Sequence, residues 1–325
     1  MSRKQVNIIL IILSLAIVFI IGKDFIVNKA GKNIPNPYNY DMDQYRKVDS
    51  TTILYKETIT FPVQSGAPKG IAVAGNVIYV VAEKNLLEFD YTGKQLLNTQ
   101  LPDSATCITV TKEGNLWIGF IHSAGEFDKN GKLLNKWNSF GDRSVISSLA
   151  VNGTNVYVAD AGNRIVYHCN PKGEILSRIG EKSAEKGVPG FILPSPYFDV
   201  AIDDNGFLWA VNTGNHSLEN YNKDGSLRTS WGKASTKIDG FYGCCNPAQI
   251  AILPDNSFIT SEKGIPRIKL YDQHGVMQGV VAPPGKFEKG WFAPDVAVDE
   301  EQRVVSLDFD RLQVRIFEKK NDGNK

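Results

Sequence analysis

One short apolar strand recurs six times along this chain, and that repeat limits the fold more than any other feature. It reads IAV at 71–73, ITV at 108–110, LAV at 149–151, VAI at 200–202, IAI at 250–252 and VAV at 296–298. The central residues are Ala72, Thr109, Ala150, Ala201, Ala251 and Ala297, spaced by 37, 41, 51, 50 and 46 residues. A turn follows each copy, then a second strand (VIYVV, LWIGF, VYVAD, FLWAV, SFITS, RVVSL) and a third (LLEFD, GEFD, RIVYHC, SLENY, RIKLY, QVRIF). Five copies continue into a glycine turn at Gly93, Gly131, Gly173, Gly225 and Gly275, each 21 to 24 residues after the central residue. A near-constant internal distance in repeats of unequal length puts the variation in the last loop of each unit.

Three strands, a glycine turn and a fourth strand make the four-stranded antiparallel blade of a β-propeller. The sixth copy ends near Phe317 without room for a fourth strand. The segment TTILYKETITF at 51–61 alternates Ile53, Tyr55, Ile59 and Phe61 on one face and is predicted to close the ring as the outer strand of the last blade. Residues 51–320 then supply 45 residues for each of six blades. The predicted fold is an all-β, six-bladed propeller preceded by one transmembrane helix.

VYVADAGNRIVYHCNPKGE at 156–174 resembles an NHL repeat, and LWAVNTGNHSLENYNKDGS at 208–226 is a looser copy. The resemblance covers the propeller and is strongest in blades three to six. It implies a six-bladed propeller that binds more often than it catalyses. The stretch GCCNPAQIAILPDNSFITSEKGIPRIKLY at 243–271 is also similar to extracytoplasmic bacterial members of that family.

Ahead of the repeats, Val6 to Gly22 is a run of 17 uncharged residues preceded by Arg3 and Lys4. As a helix it spans roughly 25 Å, close to a bilayer's hydrocarbon core. It is longer than the core of a cleaved signal, and Lys23 and Asp24 follow where small residues would mark cleavage, so an uncleaved anchor is expected. The expected order is a cytoplasmic tip (1–5), a membrane span (6–22), a stalk (23–50), an extracytoplasmic propeller (51–320) and a tail (321–325), with the basic end inside. Lys+Arg of 36 against Asp+Glu of 35 gives no field to gather nucleic acid. Four Cys and four His argue against a disulfide scaffold or a multi-metal protein.

Two of the cysteines are adjacent, Cys244 and Cys245, in the loop entering blade five. Neighbouring Cα atoms sit about 3.8 Å apart, below the usual 4.4–6.8 Å for a disulfide, so a bond between them is strained and easily reduced. A rigid staple that shapes the loop is the competing role. A second constellation lies two residues before each central strand residue, where Gly70, Cys107, Ser148, Asp199, Gln249 and Asp295 face the channel. Asp199, Gln249 and Asp295 are the candidate ligands of a calcium or other divalent cation, similar in logic to the channel metal of lactonase-type propellers. A water-filled polar channel without metal is the alternative. No cofactor is otherwise called for.

Glu262, Lys263 and Arg267 are expected on an exposed turn of blade five, on the face that carries Cys244, Cys245 and Asn246. Tyr197 and Trp291 stand in the long loops before blades four and six, among many aromatics that either pack between blades or form a recognition surface. These eight residues are the candidate partner-binding set. The leading functional expectation is a tethered binding or assembly module whose protein partner meets the 181–199, 231–247 and 281–295 loops. A redox or metal-handling accessory protein using Cys244 and Cys245 is the second reading. The third is a cation-dependent hydrolase or lyase with Asp199 and Asp295 at the channel mouth.

Overall fold

The computed structural model describes residues 3–30, 42–288 and 292–320. Residues from Tyr45 onward form a compact unit of six four-stranded antiparallel sheets. Blade I comprises Pro68–Ala74, Val77–Ala82, Asn85–Phe89 and Gln95–Gln100, from the inner strand outward. Blade II follows with Ala105–Val110, Leu116–Phe120, Ala124–Phe127 and Leu133–Lys136. Blade III is Ile146–Asn152, Asn155–Asp160, Ile165–Cys169 and Ile175–Ile179; blade IV is Val200–Ile202, Leu208–Asn212, Ser217–Tyr221 and Leu227–Trp231. Blade V is Gln249–Ile252, Phe258–Glu262, Arg267–Tyr271 and Met277–Ala282. Blade VI takes Asp295–Val298, Val304–Asp308 and Gln313–Lys319 from the end of the chain and Tyr55–Pro62 from before blade I.

The second strands are buried on both faces because each lies between two neighbouring blades. They therefore read as continuous apolar runs such as LWIGF and LWAVN, without alternation. Outer strands are half solvated, as in QLLNTQ and LLNK. Aromatic rings fill the wedges between blades. Trp209 of blade IV meets Phe258 of blade V edge-on at 4.7 Å, and Trp231 lies 5.1 Å from Tyr271.

The recurring glycine has a packing reason as well as a turn reason. At Gly173 a Cβ would lie 2.7 Å from Trp137, and at Gly275 2.5 Å from Trp231, with φ of +86° and +79°. These two hairpin turns thus rest on an aromatic ring at the preceding blade's outer edge, where no side chain fits.

The ring closes as expected. Tyr55–Pro62 pairs antiparallel with Gln313–Lys319, from Tyr55 opposite Lys319 to Pro62 opposite Gln313. Arg315, wholly buried, joins the two strands by donating to Glu57 from Nε (2.8 Å) and Nη2 (3.0 Å), and from Nη1 to Asp308 (3.1 Å). Burial alone would raise the Glu57 carboxyl, but these Arg315 bonds hold it down to about 2.

The amino-terminal unit carries a helix, α1, over Arg3–Ala30. Its stretch Arg3–Lys23 has a mean hydropathy of 2.7 and is long and apolar enough to cross a membrane. The helix runs past Gly22 into the segment expected to be a stalk, of which 31–41 lie outside the described residues.

Glu57→Ala leaves Arg315 buried with Asp308 as its remaining carboxylate, and should destabilise the propeller by about 2–3 kcal/mol in chemical denaturation. A change below about 0.5 kcal/mol would show that backbone pairing alone holds the closure.

Candidate functional site

Antiparallel blades sort their connections onto two ends of the ring. The loops entering each inner strand and the turns between second and third strands share one end. On that end lie Tyr197, Cys244, Cys245, Asn246, Lys263 and the loop before blade VI. Trp291 falls outside the described residues.

The register expectation for the channel holds at five of the six positions, Gly70 not being among the residues that line the cavity. Cys107, Ser148, Asp199, Gln249 and Asp295 line one central cavity of about 380 Å³. In blades I to III the pairing shifts just before this position, between Pro68 and Gly70, Ala105 and Cys107, and Ile146 and Ser148, a bulge that re-aims the strand as it enters the channel. The carboxylates are deeply engaged with neighbouring blades. Asp199 Oδ1 accepts from the Ser148 hydroxyl of blade III (2.5 Å) and Oδ2 from the Ile250 amide of blade V (2.7 Å). Asp295 Oδ2 accepts from the Ile71 amide of blade I (3.0 Å) and Oδ1 from Val296 (2.8 Å). Ser147 Oγ donates to Phe198 O (2.6 Å) and Ser261 Oγ to Pro294 O (2.5 Å). Short polar bonds therefore link blades III, IV, V, VI and I in succession.

Burial raises the Asp199 carboxyl to about 6, and burial together with the Asp199 charge raises Asp295 to about 7. Among the described residues no group of three or more His, Cys, Asp and Glu side chains could hold a metal ion. Asp199, Gln249 and Asp295 do share the cavity, but the two carboxylates already accept backbone amides.

The turn of blade V departs from expectation. Glu262 and Arg267 are each 1% exposed, so the expected solvated, partner-facing turn is corrected to an internal ion cluster. Arg267 donates to Glu262 from Nε (2.7 Å) and Nη2 (2.9 Å), and Lys269 Nζ lies 2.8 Å from Glu262 Oε1. The reason is the long loop before blade V, which folds over the cluster. Its Gly240 carbonyl accepts from Arg267 and Lys269, its Ile238 carbonyl from Lys269, and its Tyr242 amide donates to Glu262. Burial pushes the Lys269 ammonium down to about 8 despite Glu262. Burial alone would raise Glu262, but the Lys269 and Arg267 charges hold it below its ordinary value. Lys269 went unremarked in the sequence. The available signal was register: Asp160, Asn212 and Asp308 occupy the position of Glu262 at the end of their second strands, and all three are buried. Asp160 there accepts from the Val145 amide of its own entering loop (2.9 Å).

Lys263 remains half exposed and joins the rim. Its Nζ lies 5.3 Å from the Tyr197 ring centre, and the Tyr197 hydroxyl accepts from the Ala293 amide (3.3 Å). Asn246, fully buried, donates to the Tyr242 and Lys263 carbonyls and accepts from the Lys263 amide (2.9 Å). The Asn246 carbonyl in turn meets His216 Nδ1 at 3.2 Å, consistent with a structural role for that histidine. Cys244 is exposed and Cys245 buried, both as free thiols with their sulfurs 3.1 Å apart. Of the rim aromatics, Phe198 and Phe241 are core residues, while Tyr197 and Tyr242 stay half buried. Among the described residues, four large apolar side chains on this end are open to solvent: Ile192 at 51% and Phe292 at 53% in the entering loops, and Ile121 at 50% and Leu312 at 45% in the turns after the second strands of blades II and VI.

No family model and no curated protein sequence matches the chain. Solved structures do match. A streptogramin B lyase aligns at 11% identity with a TM-score of 0.58, covering 84% of this chain and 100% of that one. Virginiamycin B lyase from Staphylococcus aureus aligns at 14% identity and TM-score 0.52, over 82% of this chain and 90% of that one. A protein of unknown function from Bacteroides thetaiotaomicron gives 12% identity and TM-score 0.60, over 81% and 72%. At these identities the likeness is one of fold.

Two predictions follow from burial. Glu262→Gln strands two cations in the interior and should cost about 3 kcal/mol of stability by urea denaturation, whereas Lys263→Ala should cost under about 0.5 kcal/mol. Asp199 and Asp295 hold protons in the folded ring that the unfolded chain, with carboxyls near 3.8, releases. Their contribution is fully present below about pH 4 and lost as pH rises through about 6 to 7. Between pH 5 and 8 it should fall by roughly 4 kcal/mol. Asp295→Asn should lower stability at pH 5 and flatten this slope; an unchanged slope would refute the assignment.

Proposed function

We propose that this chain is a membrane-tethered, extracytoplasmic propeller whose rim over blades IV to VI binds a protein partner. The observation that carries the reading is the combination of a braced rim with exposed apolar groups. Entering loops of blades IV, V and VI are linked through Tyr197, Ala293, Lys263, Asn246 and His216. Ile192 and Phe292 stand open on the same end. Exposed apolar side chains beside half-buried tyrosines and a cation have the composition of a protein-binding patch, and a braced patch loses little entropy on association. The apolar helix ahead of the propeller, with Arg3 and Lys4 before it, supports a tether with the basic end inside. The NHL resemblance of blades III and IV supports binding.

A cation-dependent lyase is the enzyme reading that the neighbouring folds bring to mind. It would need Asp199 and Asp295 to turn from backbone amides that link blades to a metal, so the arrangement favours binding.

A photo-crosslinking residue at position 192 or 292 of the membrane-embedded chain should give discrete protein adducts. The same residue at 176 or 276, on the outer edges of blades III and V, should give none. Phe292→Asp should reduce adduct formation from position 192 about tenfold without lowering the melting temperature. Equal labelling from rim and outer edge would sink the reading.

A further inference from the structure

The thiol pair is the rim feature that partner binding does not use. Its loop is locked: Asn246, the next residue, makes two hydrogen bonds to Lys263 in the turn after the second strand of blade V and a third to the Tyr242 carbonyl within the loop itself. The lock holds one sulfur outward and one inward, Cys244 exposed and Cys245 1% exposed, 3.1 Å apart and sharing a hydrogen bond. The Lys263 charge acts on both sulfurs, and its Nζ lies 5.3 Å from the Tyr197 ring. A solvent-facing thiol backed by a second thiol at bonding range, beside a cation and in a rigid loop, has the parts that disulfide exchange requires.

We propose that Cys244 and Cys245 form a thiol–disulfide exchange site for a solvent-accessible disulfide, with Cys244 the entering sulfur and Cys245 the resolving one. This inference does not rest on the partner-binding reading. The pair starts as two thiols, and one proton is released to solvent as the reaction begins. Cys244 gives up its proton while Cys245 keeps its own, and the Cys244 thiolate attacks one sulfur of the substrate disulfide, breaking that S–S bond. The first half leaves as a thiolate and takes the proton from Cys245. The Cys245 thiolate then attacks the Cys244 sulfur, breaks the mixed disulfide, and the second half leaves as a thiolate. The substrate is reduced by two electrons and the pair is oxidised to a Cys244–Cys245 disulfide. Two thiols acting in reverse restore the dithiol. A bond between neighbours closes a small ring, so the oxidised form is readily reduced and the site is reversible.

Accessibility, not acidity, makes Cys244 the entering sulfur, since Cys245 is the more acidic of the two but is buried. For Cys244, the bond to Cys245, followed by burial, holds the thiol above its ordinary value. Burial alone would raise Cys245, but the Ser195 hydroxyl, the Cys244 thiol and the Lys263 charge bring it below. By contrast, burial pushes Cys107 and Cys169 up to about 12, which makes them internal controls within the same chain.

The test is equilibration of the detergent-solubilised full chain in glutathione buffers of graded oxidation, followed by acid quench, alkylation and peptide mass measurement. The expected result is loss of two hydrogens confined to the Cys244–Cys245 peptide, reversed by reduced glutathione, with Cys107 and Cys169 unmodified. Cys245→Ser should trap a lasting glutathione adduct on Cys244, and Cys244→Ser should suppress adducts about tenfold or more. Lys263→Met should slow the first step about threefold, since a higher thiol pKa lowers the thiolate fraction more than it raises nucleophilicity. A cyclic peptide disulfide in place of glutathione separates a peptide source from a small-molecule one. A persistent glutathione adduct on the unmutated chain, with no internal disulfide, would overturn the proposal. That readout needs no variant, so a serine substitution that fails to fold leaves it intact.

Discussion

The pairing of Tyr55–Pro62 with Gln313–Lys319 is the contact on which everything else in the propeller depends. Each blade buries its faces against two neighbours, so a ring left open would expose two blade faces lined with aliphatic and aromatic side chains. The Arg315 guanidinium, buried between Glu57 and Asp308, pins the borrowed strand to its host blade. Ring geometry then places every inner strand at the channel and every entering loop at one rim.

Polar chemistry follows from that geometry. Inner strands converge, so Ser148, Asp199 and Asp295, two residues before their central positions, each reach the next blade. Asp199 and Asp295 use this closeness to accept amides of blades V and I. Burial at this narrow point makes both carboxyls hold their protons more tightly than usual, and the Asp199 charge adds to the effect at Asp295. At the rim the loop before blade V supplies the carbonyls that compensate Arg267 and Lys269. It thereby orders the segment that presents Cys244.

How much of this the chain announces depends on whether a residue's partner is local. Blade order, the closing strand and the channel-facing register were legible because they rest on spacing and on period-2 alternation, which survive in one dimension. Glu262 and Arg267 were read as an exposed turn because their burial comes from Ile238 and Gly240, in a loop with no periodicity that folds back over them. Comparing Glu262 with Asp160, Asn212 and Asp308 would have exposed the pattern, since all close the second strand of a blade. The role of Asp199 as a link between blades is invisible in the sequence, because its partner is a backbone amide about fifty residues away. The free state of Cys244 and Cys245 likewise depends on side-chain placement.

The closing strand also sets a schedule for biogenesis. Glu57 and Arg315 are 258 residues apart in the chain. At roughly 5–20 residues per second, the first strand of the ring waits roughly 13–50 seconds for its partner to be synthesised. Blades I to V can each form local hairpins during that interval, but the edges at both ends stay unpaired. A nascent propeller of this kind is an open arc until its final strands emerge, and loss of the last fifteen residues before Lys320 would return the finished protein to that state.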